Sequence, residues 1–218
     1  MSQNAEWNTA EQAVTDGADT LRAARTHRDI RMWAKDAGVA TKALWPKVKT
    51  ELRKQLDIDY DQLRADVTAT EAAELAEQAA NAPVIELCCA GDDEVGTYAV
   101  CAASNDHESW YGDFHAQDLL YRAGDDLSAE RSAADKAVYL AGKAREKACL
   151  ETVRLVLHTS HHELTAEHLA ATAAKHRVAV TLELSDQNPA VALCRAPGYR
   201  TWREIKLDAL ISASQAAS

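Results

Sequence analysis

The spacing of hydrophobic residues along this chain changes once, near residue 83. Up to that point apolar positions recur at helical intervals in alanine-rich sequence, and the turn signals Asp16-Gly17 and Gly38, with Pro46, cut the stretch into several short helices. The segment from Thr68 to Ala82 is predicted as a further helix, opened by a cap at Thr68 or Thr70 and ended by Asn81-Ala82-Pro83. From Val84 onward β-branched residues become frequent and the period falls to two, which places a domain boundary at residues 78 to 83.

The second part resolves into a definite order of elements. Val84 to Cys89 and Gly96 to Ala102 read as strands joined by the turn-rich Gly91-Asp92-Asp93-Glu94, and Ser109 to Phe114 as a third strand. Leu127 to Ala148 has helical spacing, with Ala134, Val138, Leu140, Ala141 and Ala144 on one side. Thr152 to Leu157 has the near-continuous hydrophobicity of a strand covered on both faces. Leu164 to His176 reads as a helix, Val178 to Leu184 as a strand, and Asn188 to Ala196 as a short helix capped by Asn188 or Asp186. The prediction is an α/β (α+β) chain: a small all-helical module over residues 1–80, then a mixed sheet with flanking helices over residues 83–218.

Composition narrows the partners. The 218 residues carry 24 basic and 34 acidic side chains, a net charge of -10, which argues against a surface that binds nucleic acid everywhere. Between Arg22 and Lys54, however, ten basic residues meet only Asp29, Asp36 and Glu51, so one local basic face is expected. Contacts to phosphates would come from Arg28, Arg31, Lys35, Lys42, Lys47 and Lys49, and would fix position more than sequence. The alternative is a three-helix unit with Ile30, Trp33, Ala34, Leu44, Trp45 and Val48 as its core and the basic residues as a solvated face. No basic leader precedes an apolar run, and no stretch is long enough to span a bilayer, so a cytoplasmic location is expected. Five cysteines, mostly inside apolar patterns, fit buried thiols better than a disulfide framework.

The order strand, strand, strand, helix, strand, helix, strand, helix over residues 83–200 resembles the ribonuclease H-like fold. Gly96-Thr97-Tyr98-Ala99-Val100 is similar to that family's second strand, and Ala134-Asp135-Lys136 through Leu157-His158-Thr159-Ser160 to its first helix and fourth strand. The resemblance implies a cluster of carboxylates holding two magnesium or manganese ions for phosphodiester cleavage. Its positions fall on Cys88, Asp135, Thr159 and about Ala192, of which Asp135 alone is an acid. Cysteine is a soft ligand and threonine a weak neutral one, so the expectation is a catalytically impaired scaffold with no cofactor. Were it an active nuclease, Asp135 and Glu86 would carry the chemistry, because Glu86 shares a strand face with Cys88. Asp92, Asp93, Glu130 and Asp186 stand at loops or helix starts, where the alternative assignment is hairpin, cap and surface acids. His158, His161, His162 and His168 lack the spacing of a zinc site and are assigned to a solvated loop.

Two shorter resemblances point elsewhere. Ile30-Arg31-Met32-Trp33-Ala34 through Leu44-Trp45-Pro46 is similar to the DNA-binding domain of actinobacterial nucleoid silencers, whose minor-groove Arg-Gly-Arg corresponds to Lys42-Ala43-Leu44. Leu182 to Ala190, followed by Gly198-Tyr199-Arg200, resembles the end of GNAT acetyltransferases, although no glycine stands at His161 to Ala166, where such an enzyme would cradle a pyrophosphate. A nucleic-acid-associated or partner-binding protein is therefore expected. The alternatives are a nuclease with relocated carboxylates, a degenerate acetyltransferase and a protein-binding adaptor.

Overall fold

The turn residues cut the amino-terminal helices where the sequence predicts. In the computed structural model, which describes residues 3–215, α1 (Gln3–Asp16) stops before Gly17 and α2 (Ala18–Ala23) follows it. α3 (His27–Asp36) ends before Gly38, whose φ of 71° only a residue without Cβ adopts freely. α4 (Trp45–Leu56) holds Pro46 in its first turn, where the missing N–H costs nothing. Thr26 and Asp29 cap α3 reciprocally: the Asp29 amide donates to the Thr26 hydroxyl and the Thr26 amide to the Asp29 carboxylate at 2.9 Å. Ile30, Ala34, Leu44 and Val48 are buried as expected, joined by Ala10, Val14, Leu21 and Leu52, while Trp33 and Trp45 pack half-buried against them.

One predicted helix start is absent. α5 runs unbroken from Tyr60 to Gln78, and Thr68 and Thr70 lie inside it. The Thr70 hydroxyl donates back to the Asp66 carbonyl at 2.9 Å instead of capping, and Asp59 opens the helix by accepting from the amides of Asp61 and Gln62. Packing divides the chain into two units between Thr70 and Glu71, inside α5, whereas the change of hydrophobic period lies at 78–83. Leu75 is buried, and the last turns of the helix, from Glu71 on, belong by packing to the second unit. Residues 1–2 and 216–218, at the ends of the two predicted segments, lie outside the described residues.

The second unit is α+β. Its strands β1 (Val84–Asp92), β2 (Thr97–Ala102), β3 (Asn105–Asp113), β4 (Val153–Thr159) and β5 (Val178–Leu184) form one mixed five-stranded sheet in the order β3-β2-β1-β4-β5. β1 to β3 are antiparallel neighbours, while β1, β4 and β5 run parallel. The first strand is longer than expected and takes in Gly91 and Asp92; the turn falls at residues 93–96. α6 (Asp126–Lys147) covers one face and is capped by Asp125, whose carboxylate accepts from the Ser128 amide at 3.0 Å. Beside it lies α7 (Ala166–His176), and the opposite face carries α8 (Pro189–Cys194). A 3-10 turn (Trp202–Glu204) and α9 (Leu207–Gln215) complete the chain.

Because strand side chains alternate, β1 feeds two cores. Ile85, Leu87 and Cys89 lie with the alanine stripe of α6, whereas Cys88 and Ala90 lie with Ala190 and Cys194 of α8. Trp110 and Trp202 pack rather than project: Trp110 meets Tyr98 edge-on at 5.5 Å, and Tyr139 meets Trp202 at 5.7 Å. Among the described residues no helix is long and apolar enough to cross a membrane.

The segment entering α6 is fastened by one carboxylate. Asp118 accepts from Lys136 Nζ at 2.6 Å, from the Ser132 hydroxyl at 2.7 Å, and from the amides of Leu120 and Tyr121. Burial pushes its pKa up, but the Lys136 and Ser132 hydrogen bonds outweigh that and hold it at about 2. An acid depressed by folding stabilises above its unfolded pKa, and the gain is lost as pH falls through the folded value. Asp118→Asn is expected to lower stability by about 2 kcal/mol near neutral pH, as loss of charged hydrogen bonds does. In urea unfolding, the gap between the variant and the parent should shrink as the solution is taken into strong acid.

Candidate functional site

The carboxyl ends of the parallel strands, where an α/β sheet usually presents its chemistry, meet the first turns of α6. Glu130 lies on the stripe that continues through Ala133, Ala134, Ala137, Ala141 and Ala144, and is 3% exposed. Oε1 accepts from the Thr159 hydroxyl at the end of β4 and from Cys89 Sγ of β1 at 3.6 Å; Oε2 accepts from the Gly91 amide at 2.8 Å. Burial raises the pKa of this carboxyl, against the lowering effect of the Thr159, Gly91 and Cys89 hydrogen bonds. The adjacent Cys89 thiol is pushed well up by its own burial and by the charge of Glu130.

The approach of α6 to β1 requires glycine. A Cβ on Gly91 would run into the Ala129 carbonyl and lie 2.6 Å from the Glu130 nitrogen, both of them backbone that cannot rotate aside. On the other face, Asn188 caps α8 by accepting from the Ala190 amide at 3.0 Å, and its Nδ2 donates to the Cys89 carbonyl at 2.7 Å. Cys194 Sγ donates to the Ala90 carbonyl at 2.9 Å, and the Thr97 hydroxyl to the Cys194 carbonyl at 2.8 Å. Both faces of the β1 end are thus closed by short polar contacts.

The acids singled out from the sequence are placed apart. Asp135 accepts from the Thr172 hydroxyl of α7, so it serves the contact between two helices rather than the strand ends. Glu86 is exposed on the α8 side of β1, opposite to the face that holds Glu130. Asp92 is committed to its own turn, accepting from the amides of Glu94 and Val95 at 3.1 Å, and to Arg195 at 2.8 Å. Burial pushes its pKa up, but the Val95 amide and Arg195 hold it below the ordinary carboxylate value. Asp186 and Ala192 are exposed, and Cys88, the position matched to a metal-binding aspartate, lies in the α8 core directly opposite Cys101.

The donors present do not suit two hard divalent ions, which need several carboxylate oxygens converging with room for water. Glu130, the acid at the strand ends, has both oxygens occupied by protein donors. Among the described residues no group of three or more His, Cys, Asp or Glu is arranged to hold a metal ion. The histidines have separate partners, His158 beside Glu183 at 3.6 Å and His161 beside Asp126 at 3.5 Å, with His162 stacked on His161. At the start of α7, the Thr165 amide is taken by His168 Nδ1 at 3.2 Å, which removes one donor a pyrophosphate would use.

The six basic residues singled out from the sequence all lie in the helical module. Lys47 pairs with Glu6 at 3.0 Å and Lys49 with Asp61 at 2.7 Å. Arg28, Arg31, Lys35 and Lys42 are exposed. The first three stand at i, i+3 and i+7 of α3 and form a single stripe, with Arg31 also lying over the Trp45 ring at 4.4 Å. Of Lys42-Ala43-Leu44, the last is buried in the module core. Comparison with protein-family models, curated proteins and solved structures finds no match for this chain.

Sequence reasoning missed the burial of Glu130, although a signal for it exists: it precedes Ala133, Ala134 and Ala137 by three, four and seven residues, which is one helix face. Asp135 lies off that stripe. Glu130→Ala, which strands the Gly91 amide and the Thr159 hydroxyl, is expected to cost about 3 kcal/mol. Glu130→Gln tests the charge separately. Folding raises this pKa, so the folded chain holds the proton more tightly, and the stability contribution is full below the unfolded pKa and lost as pH rises through the folded one. Urea unfolding followed upward from mildly acidic pH should show the parent losing stability relative to Glu130→Gln.

Proposed function

We propose that this chain is a binding protein built on a ribonuclease H-like scaffold whose catalytic centre has been replaced by a structural one, and that its helical module contacts the phosphate backbone of nucleic acid. The observation that carries the first half is the Glu130 carboxylate, enclosed by Thr159, Cys89 and Gly91 at the strand ends where cleavage chemistry would require open carboxylates. The strand order β3-β2-β1-β4-β5 supports the scaffold assignment. The second half is supported by the exposed stripe Arg28, Arg31, Lys35 of α3 and by the exposed Lys42. Such contacts bind phosphates without reading bases, so the interaction is non-specific and sensitive to salt. The acidic remainder of the chain confines it to this one face.

A salt titration with duplex DNA, RNA and hybrid tests this directly. Binding at low ionic strength should weaken linearly in log–log form with a slope of about -3, as expected for three to four phosphate contacts. Replacing Arg28, Arg31 and Lys35 by Ala together should abolish it, while Lys49→Ala, which removes a residue already paired with Asp61, should leave it nearly unchanged. Absence of binding to all three at low salt would overturn the nucleic-acid assignment. Magnesium- or manganese-dependent cleavage of hybrid that Asp135→Asn or Glu130→Gln removes would overturn the non-catalytic one.

A further inference from the structure

Cys101, Cys88, His158 and Glu183 form one row across four neighbouring strands. Cys88 stands opposite Cys101 in the antiparallel pairing of β1 with β2 and beside His158 in the parallel pairing with β4, and His158 stands beside Glu183 of β5. Residues in register on adjacent strands share a face of the sheet, here the face that carries α8. Exposure rises along the row. Cys101 is fully buried, Cys88 keeps 4% of its surface, His158 is half-buried and Glu183 is exposed. Of the two thiols, Cys88 is therefore the one nearer to solvent.

The ladder fixes how the two cysteines face each other. The Ala103 amide donates to the Glu86 carbonyl at 3.0 Å, and hydrogen-bonded and open pairs alternate along an antiparallel ladder. Cys88 and Cys101, two positions further on, are again a hydrogen-bonded pair, with Cα atoms about 5.5 Å apart, near the usual separation in a disulfide. Both are free thiols, joined by a hydrogen bond that holds the Cys88 thiol below its ordinary value against burial and the charge of Glu86. Side chains of a hydrogen-bonded pair stand farther apart than those of an open pair. A bridge here closes under strain and is easily reduced, unlike a permanent staple.

The other cysteines are placed differently. Cys89 lies on the opposite face against Glu130, where its burial and that charge push the thiol well up. Cys194 donates to the Ala90 carbonyl, and burial pushes its thiol up to about 12. Cys149 is exposed in the turn that follows α6.

We infer that Cys88 and Cys101 are a reversible redox pair, a dithiol that hydrogen peroxide converts into a disulfide across β1 and β2. The Cys88 sulfur attacks one peroxide oxygen: an S–O bond forms, the O–O bond breaks, and the other oxygen leaves as water with the thiol proton. The Cys101 sulfur then attacks the Cys88 sulfur. The S–S bond forms, the S–O bond breaks, and a second water leaves with the Cys101 proton. The two thiols give up two electrons, and the peroxide is reduced to water.

The test uses the full chain, freshly reduced, treated with hydrogen peroxide, alkylated and cut after glutamate. Cleavage at Glu86, Glu94 and Glu108 separates residues 87–94 from 95–108. The two peptides should be joined through Cys88 and Cys101 with loss of two hydrogens, and reduced glutathione should part them again. In Cys101→Ala the Cys88 sulfenic acid should be trapped by dimedone, and in Cys88→Ala the Cys101 thiol should stay reduced. Free thiols on both peptides while Cys149 is oxidised, a link through Cys89 or Cys194, or a bridge that forms only in urea would each overturn the assignment. A bridge that glutathione leaves closed would overturn its reversibility. The digest of the parent decides by itself should either variant fail to fold.

Discussion

Glu130 joins three parts of the chain that lie far apart in sequence: the end of β1, the end of β4 and the first turns of α6. Each of its oxygens is used, one by Thr159 and Cys89 and the other by the Gly91 amide. A buried carboxylate is tolerated only where such donors replace the water it loses, so its presence defines how closely the helix and the two strands approach. Gly91 meets the same constraint from the strand side, since any Cβ there would occupy the space of the α6 backbone. The glycine and the glutamate are complementary halves of one contact.

The remaining geometry follows from that contact. With the end of β1 pressed against α6, its other face is left for α8, and Asn188, Cys194 and Thr97 stitch it there through the backbone carbonyls of Cys89, Ala90 and Cys194. Small residues make this possible: Cys88, Ala90, Ala99, Cys101 and Ala190 form a thin core in which a short helix lies close to the sheet. The strand ends of the sheet are therefore filled by structure on both sides. A site for metal-assisted cleavage needs the opposite, open carboxylates and water.

The helical module shows how poorly charge counting predicts a surface. Ten basic residues between Arg22 and Lys54 suggest a broad basic face, yet folding brings Glu6 to Lys47 and Asp61 to Lys49, from helices on either side of that stretch in sequence. Arg28, Arg31 and Lys35 line one exposed face of α3. Leu44 likewise leaves the minor-groove comparison, because its side chain completes the core between α3 and α4.

Hydrophobic period and turn residues together determined the order of elements from β1 to α8 and the change from helical to strand spacing, since burial imposes 3.6- and 2-residue repeats that local sequence records directly. From sequence, Glu130 is a cap or surface acid at the helix start, and the family resemblance draws attention to Asp135 instead; the burial of Glu130 is a correction the structure makes. Only the tertiary structure decided which carboxylate meets the strand ends, which lysines are neutralised, that α5 runs through Thr68 and Thr70, and that Arg200 pairs with the β3 edge of the sheet. Those outcomes depend on residues brought together from distant parts of the chain, such as Gly91 with Glu130, Glu6 with Lys47 and Arg200 with Tyr111, and no local pattern encodes the distances between them.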